Sequence, residues 1–266
     1  MIFDFLRRFR EEALEWVFPS NIYCICCGAL IEPDMPYALC ETCMTDIHWI
    51  NGRTCQRCGK ALGDNFRGRR CYNCMAREHA FDIGISCMTY GLKERQMILD
   101  YKYNGKSYMG HKFGDMMADR LAAWEGEKGD LNADVIVPVP IHPSREKKRG
   151  FNQAGIMADR LGSLTGIPAC HRACKRVKHT KLLRSMSPIE REAALEGAFA
   201  VPEKERPYVD GMRVLLVDDI MTTGATADAC AKALKHAGAA SVNVITLASG
   251  ANRKPSDLCG EDMQSR

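Results

Sequence analysis

The stretch best suited to chemistry is residues 214–230, VLLVDDIMTTGATADAC. Four apolar residues lead into the adjacent carboxylates of Asp218 and Asp219, and a small, hydroxyl-rich turn follows from Thr222 to Thr226. Two adjacent carboxylates could bind a metal ion or act as an acid–base pair. The structural alternative is that one of them caps the N-terminus of a helix while the other is solvated. The turn suits a phosphate monoester, because amide N–H groups, threonine hydroxyls and the dipole of the following helix all favour an anion.

The elements around this stretch alternate between strand-like and helix-like patterns. Strands are predicted at residues 81–90, 134–140, 214–217 and 242–247, and helices at 92–101, 110–124, 152–164, 188–195 and 225–236. Such alternation predicts an α/β protein with a parallel sheet covered by helices. Ligands bind such sheets beyond the carboxyl ends of the strands, which is where the aspartates fall.

A second polar cluster follows the Val-Pro-Val-Pro run that ends at Pro140. It contains Arg145, Lys147, Lys148 and Arg149, and it should lie at the same edge of the sheet. Cations concentrated there suit a further anionic group of a ligand. The alternative is a solvated charge run with no ligand.

The N-terminal third carries most of the cysteines: nine of the fourteen lie between Cys24 and Cys74. Eight of them form two units of paired C-x2-C turns, the second displaced by thirty-one residues: Cys24, Cys27, Cys40 and Cys43, then Cys55, Cys58, Cys71 and Cys74. Two such turns supply the four sulfurs of a tetrahedral site, so two structural Zn²⁺ ions are predicted. A disulfide scaffold and iron–sulfur ligation are the alternatives, and the ligands could be grouped in tandem or interleaved.

Composition sets the broad class. The chain has 266 residues and a net charge of +4, a mild excess that does not by itself indicate nucleic acid. The first twenty residues contain charges throughout, so they predict an amphipathic helix rather than a secretory signal. That helix would pack on the protein or lie on a membrane surface. No segment is apolar enough to span a membrane, so a cytoplasmic location is expected.

Several motifs together resemble the ComF family: the apolar N-terminus, the double CxxC module, YKYNG at Tyr101–Gly105, VPVP, RGFNQ at Arg149–Gln153 and VDDIMTTGAT. The resemblance covers roughly residues 10–248. It implies a type I phosphoribosyltransferase fold with a small N-terminal zinc-ribbon module, and a place in nucleotide metabolism. The implied domains are an N-terminal helix at 1–20, a double zinc ribbon at 21–80, the phosphoribosyltransferase domain at 81–250 and a flexible polar tail at 251–266.

The resemblance also implies a ligand, 5-phosphoribosyl-1-pyrophosphate (PRPP), bound with Mg²⁺ that the substrate's oxygens and water mainly hold. Asp218 and Asp219 would accept hydrogen bonds from the ribose 2′- and 3′-hydroxyls. The 5′-phosphate would lie on Thr222, Thr223, Gly224, Ala225 and Thr226. The pyrophosphate side would be met by Arg145, Arg149 and Lys102.

The chain departs from related patterns where an acceptor would bind. Purine-salvage relatives of the fold often carry an acidic residue where Thr222 stands, so no general base can be named. ComF sequences usually show a glutamine near Leu183 and an asparagine where Ala194 stands.

Two functions therefore compete. The first is a Mg²⁺-dependent phosphoribosyltransferase of the ComF type with an unassigned acceptor, linked in some family members to DNA uptake during natural competence. The alternative is a non-catalytic PRPP sensor or scaffold. Its zinc ribbons and a basic stretch between Arg172 and Arg184 would bind single-stranded DNA or a protein of the competence machinery, although that stretch lacks interleaved aromatic residues. The other role open to the same stretch is a flexible hood over PRPP. The oligomeric state stays open.

Overall fold

A computed structural model describes residues 21–178 and 188–253 of the chain. The predicted N-terminal helix at 1–20, the stretch from His179 to Arg184 and nearly all of the predicted tail lie outside the described residues. No helix in the described ranges is long and apolar enough to cross a membrane.

Eight α-helices and six strands are defined in these ranges. The helices are α1 (Glu41–Asp46), α2 (Tyr72–Ala76), α3 (Leu92–Tyr103), α4 (Met109–Lys128), α5 (Pro143–Arg149), α6 (Gln153–Thr165), α7 (Pro188–Leu195) and α8 (Ala225–His236). The strands are β1 (Gly84–Thr89), β2 (Val135–Pro138), β3 (Lys175–Arg176), β4 (Phe199–Ala200), β5 (Arg213–Met221) and β6 (Ser241–Ser249).

The main sheet has four strands in the order β1-β6-β5-β2, and every pair is parallel. Residues 214–217 of β5 and 244–248 of β6 are fully buried, as expected for central strands covered on both faces. The predicted α/β class with a parallel sheet is therefore confirmed.

Strand β5 continues four residues beyond the predicted end at Val217. Asp218 pairs in register with Thr246, and Met221 pairs with Ser249. The strand is longer because its neighbour β6 also runs for nine residues and offers backbone partners along that length. The two aspartates are consequently held in the sheet rather than in a loop.

The end of β2 lies beside the end of β5, as a parallel sheet requires. The Val139 amide N–H donates to the Val217 carbonyl oxygen over 2.8 Å, which keeps the VPVP turn next to Asp218. The basic cluster that follows forms helix α5, which the sequence did not predict. The helix begins after His142, whose ring accepts from the Ser144 amide, and ends at Gly150 with φ +86°.

A separate two-stranded antiparallel ribbon is formed by β3 and β4, with Arg176 opposite Phe199. Each strand has two residues, which is too short for an alternating pattern to reveal it.

The chain divides into two compact units between Ile47 and His48. The first four-cysteine group lies in the N-terminal unit, and the second lies in the unit that contains the sheet. The domain limits named from the sequence stay predictions.

Within the larger unit, the second cysteine group packs closely against the start of β1. The Gly84 amide donates to the Arg57 carbonyl oxygen over 2.8 Å. A Cβ at Gly84 would lie 2.7 Å from the backbone of Cys58, so only glycine allows the two backbones to approach this closely.

Substituting Gly84→Ala should therefore lower the free energy of unfolding by about 1–3 kcal/mol, because the added methyl group meets backbone that must move. The measurement is thermal unfolding followed by circular dichroism. Gly63→Ala is the matched control, since a Cβ there meets nothing within 4 Å and its melting temperature should stay at the wild-type value. Equal melting temperatures for the two variants would contradict the close approach.

Candidate functional site

The two aspartates at the end of β5 are fixed by different partners. Asp218 is half-buried, and its Oδ1 accepts the backbone N–H of Asp219 over 2.8 Å. The Asp219 carboxylate pairs with the Lys102 ammonium at 2.8 Å, with side chains only 14% and 16% exposed. Helix α3 thus delivers a cation directly to the carboxylate pair.

The pKa of Asp218 is raised from 3.8 to about 7. Burial is the main cause, and the neighbouring Asp219 charge adds to it, while the Lys102 and Arg176 charges oppose it. A carboxyl group that changes charge near neutral pH is unusual for a structural residue and typical of a binding or catalytic site.

The Thr222–Thr226 loop turns sharply from β5 into helix α8. Gly224 adopts φ +84° at the N-cap position, a left-handed conformation that favours glycine. Thr223 Oγ1 lies 3.5 Å from the Ala225 amide nitrogen, which donates to it. A small cavity lies between this loop, Asp218 and Thr246, so loop amides and hydroxyls border one recess at a helix N-terminus.

A buried cluster of charged and polar groups around Asp228 fixes the start of α8, which follows this loop. Asp228 in the first turn of α8 is 4% exposed and accepts three hydrogen bonds of 2.8 Å, from Arg77, His79 Nδ1 and the Ala80 amide. A Cβ at Gly224 would lie 2.9 Å from His79 Cε1. The sequence did not predict this support, because its partners are separated by about 150 residues along the chain.

The YKYNG and RGFNQ motifs meet beside the carboxylates. The Tyr101 hydroxyl donates to the Gln153 carbonyl oxygen over 2.8 Å, and burial, followed by the Asp219 charge, raises the pKa of Tyr101 above its ordinary value. Arg149 donates to Gln153 Oε1 over 2.8 Å, and its guanidinium lies 5.0 Å from the centre of the Tyr103 ring. Residues that the resemblance grouped only by motif are therefore in contact.

The cations predicted for the pyrophosphate side occupy different positions. Lys102 lies on Asp219, whereas Arg149 is held by Tyr103 and Gln153. Arg145 lies close enough to Arg176 for its charge to help lower the Arg176 pKa, after burial as the main cause.

Arg176 was predicted only as one cation of the basic stretch at 172–184, as part of a hood over PRPP or a track for DNA, and not as a neighbour of Asp218. It is 9% exposed, stacks 5.3 Å from the centre of the Phe199 ring, and its charge acts on Asp218. The only signal in the sequence was its membership of a basic stretch.

Each of the two cysteine groups brings four sulfurs within 4.8 Å of one another. Two sulfur pairs are 3.7 Å apart (Cys27–Cys40) and 3.5 Å apart (Cys58–Cys71). These spacings fit a tetrahedron of thiolates with Zn–S bonds of about 2.3 Å, which separates the sulfurs by about 3.8 Å. The Cys71 amide also donates to Cys55 Sγ over 3.2 Å, as expected for a ligand that carries negative charge. The groups are in tandem, and both fit zinc.

Comparison with known proteins identifies the larger part of the chain. Residues 111–261 match the family model described as the phosphoribosyl transferase domain. The chain belongs to this family. Residues 13–75 match a second model, the double zinc ribbon domain, which includes both cysteine groups.

Curated relatives of this phosphoribosyl transferase family chain have names linked to competence and DNA utilization. Competence protein F of Haemophilus influenzae is 29% identical over 86% of this chain and 97% of its own length. Competence protein ComFC of Bacillus subtilis is 26% identical over 82% of this chain and 86% of its own. DNA utilization protein YhgH of Escherichia coli K12 is 25% identical over 79% of this chain and 90% of its own. The chain is thus a ComF-type protein with a phosphoribosyl transferase domain.

The raised pKa of Asp218 makes stability depend on pH. Between about pH 4 and pH 7 the folded protein keeps a proton that the unfolded chain has lost, so the free energy of unfolding falls as pH rises through this window. Asp218→Asn cannot ionise and retains an oxygen for the Asp219 amide. It should therefore be more stable than wild type by about 1–3 kcal/mol at pH 8, and the difference should shrink towards pH 5.

Urea unfolding at several pH values measures this difference. Asp130→Asn, at an exposed position just after α4, is the control and should follow the wild-type curve. An Asp218→Asn variant that is less stable than wild type at pH 8 would contradict the raised pKa of Asp218.

Proposed function

We propose that this chain binds PRPP with Mg²⁺ and uses it as a phosphoribosyl donor. One observation carries the proposal: a carboxylate pair at the end of β5 continues directly into a glycine-containing loop at the N-terminus of α8. This arrangement suits a molecule that has vicinal hydroxyls at one position and a phosphate a few ångströms away.

The ribose would lie on the aspartates. Vicinal hydroxyls are hydrogen-bond donors, and adjacent carboxylates accept from both. Asp219 pairs with the Lys102 ammonium, and Asp218 accepts most strongly when it is ionised, above its pKa of about 7. Sugar binding would accordingly favour the ionised form of Asp218 and release its proton to solvent.

The 5′-phosphate would occupy the recess of the loop Thr222, Thr223, Gly224, Ala225 and Thr226. The positive φ of Gly224 turns the backbone at the point where a phosphate must approach it closely. The dipole of α8, a helix of 12 residues, adds to the attraction. The Asp228 cluster holds the loop in this shape before the ligand arrives.

The pyrophosphate would extend towards α3 and α5, where Lys102, Arg145 and Arg149 supply positive charge. Mg²⁺, bound with the substrate, would neutralise pyrophosphate oxygens as the bond to C1 breaks. The lysine and arginines would stabilise the same developing negative charge, while the aspartates hold the ribose in place. Thr222 has no basic atom, so the acceptor's proton would be taken by another group or by solvent.

The cellular role we propose is a cytoplasmic one in DNA uptake or use, supported by the names of the curated relatives. A single-stranded DNA or a competence-machinery protein would be the partner of the zinc ribbons. A non-catalytic PRPP sensor is the alternative, and an acceptor screen that follows pyrophosphate release distinguishes the two.

Titration calorimetry with PRPP and Mg²⁺ tests the proposal. The double variant Asp218→Asn/Asp219→Asn should bind at least about 100-fold more weakly, because two charge-assisted hydrogen bonds are weakened. Asp130→Asn should bind as wild type does. Absence of PRPP binding by the wild-type chain, or unchanged affinity in the double variant, would contradict the proposed site.

A further inference from the structure

We propose that Lys60, a residue of the second zinc ribbon, supplies a cation to the 5′-phosphate site. The inference rests on the proposed function, because it assigns a further residue to the phosphate loop. It makes the ribbon part of the ligand site, a role that the geometry of the four cysteines alone does not indicate.

Lys60 is fixed by the backbone of the ribbon. It lies two residues after Cys58, and Gly59 between them has φ +71°, which reverses the chain at this point. The Lys60 carbonyl oxygen accepts the Cys55 amide over 2.8 Å. Zinc ligands on one side and this hydrogen bond therefore determine where the side chain begins.

The side chain of Lys60 is nearly buried, with 4% of the residue exposed. Among the described residues, no carboxylate lies within ion-pair distance of its ammonium, and no side-chain hydrogen bond is formed. An ammonium with little access to water is costly unless an anion or several acceptors surround it. Its position therefore indicates an anion that binds from outside the chain.

A crevice too narrow to hold a water molecule separates Lys60 from the phosphate loop. Cys58, Lys60, Asn73 and His79 border one side of it, and residues 221–224 border the other. The same closeness is seen at Gly250, where an added Cβ would lie 3.9 Å from Lys60 Nζ and 3.8 Å from Thr222 Cα. The Lys60 ammonium and Thr222, the first residue of the loop, therefore both lie close to Gly250.

The ribbon is held firmly enough to place this charge. Arg57, in the same knuckle, accepts the Gly84 amide through its carbonyl oxygen, and its guanidinium donates to the His79 carbonyl oxygen over 2.6 Å. His79 in turn pairs with Asp228 at the start of α8. The knuckle that carries Lys60 and the helix that carries the loop are therefore linked through a single residue.

Calorimetry with ribose 5-phosphate and with PRPP tests the inference, using Lys60→Met to remove the charge while retaining the length of the side chain. Because both ligands carry the 5′-phosphate, both should lose affinity by the same factor, about 10-fold or more. Inorganic phosphate should lose affinity as well, whereas the neutral sugar ribose should be unaffected. Lys204→Met is the control, since that side chain is 75% exposed.

Thermal unfolding separates a binding role from a structural one. Removal of an unpaired ammonium with little access to water should leave the melting temperature of Lys60→Met equal to or above that of wild type, while ribose 5-phosphate should raise it less than in wild type. Should the Met variant fail to fold, Lys60→Gln provides the same comparison, and Lys60→Arg should largely retain binding.

The outcomes distinguish this inference from the proposed function. Unchanged ribose 5-phosphate affinity in Lys60→Met, with wild type binding PRPP, overturns the role of Lys60 alone. Lost affinity accompanied by a lower melting temperature in the absence of ligand also overturns it, in favour of a structural lysine. Failure of the wild-type chain to bind PRPP overturns both proposals.

Discussion

The site depends on one electrostatic constraint: two adjacent carboxylates stand at the end of a central strand where water has limited access. Burial and the closeness of two like charges both oppose ionisation of such a pair. Asp219 pairs with Lys102 at 2.8 Å, whereas Asp218, which has no ion pair among the described residues, has its pKa raised to about 7. The segments that bring cations to this edge must therefore fold correctly before the pair can accept a ligand's hydroxyl groups.

Those segments come from distant parts of the chain. Lys102 lies on α3, and Arg176 lies on the short β3–β4 ribbon. Arg77 and His79, which hold Asp228 at the start of α8, follow the second cysteine group. The second zinc ribbon therefore packs beside the site: its knuckle contacts β1, and the segment after it contacts the first turn of α8. Metal binding would stabilise the ribbon and, through it, the shape of the loop.

The sequence predicted the elements with strong local patterns. Helices α7 and α8 have the predicted bounds, and the apolar run before Asp218 is a central strand. It did not predict α5, whose seven residues are mostly charged and lack apolar periodicity, or the two-residue strands β3 and β4. The contacts Lys102–Asp219 and His79–Asp228 were equally beyond reach, because each joins residues more than 100 positions apart and depends on packing.

A crystal structure with ribose 5-phosphate tests most directly whether the end of β5 and the start of α8 form one phosphoribosyl site. The phosphate should lie on the backbone amides of residues 222–226, and the 2′- and 3′-hydroxyls should lie within hydrogen-bond distance of Asp218 and Asp219. A ligand bound elsewhere, or bound here with its phosphate on the aspartate side, would contradict it.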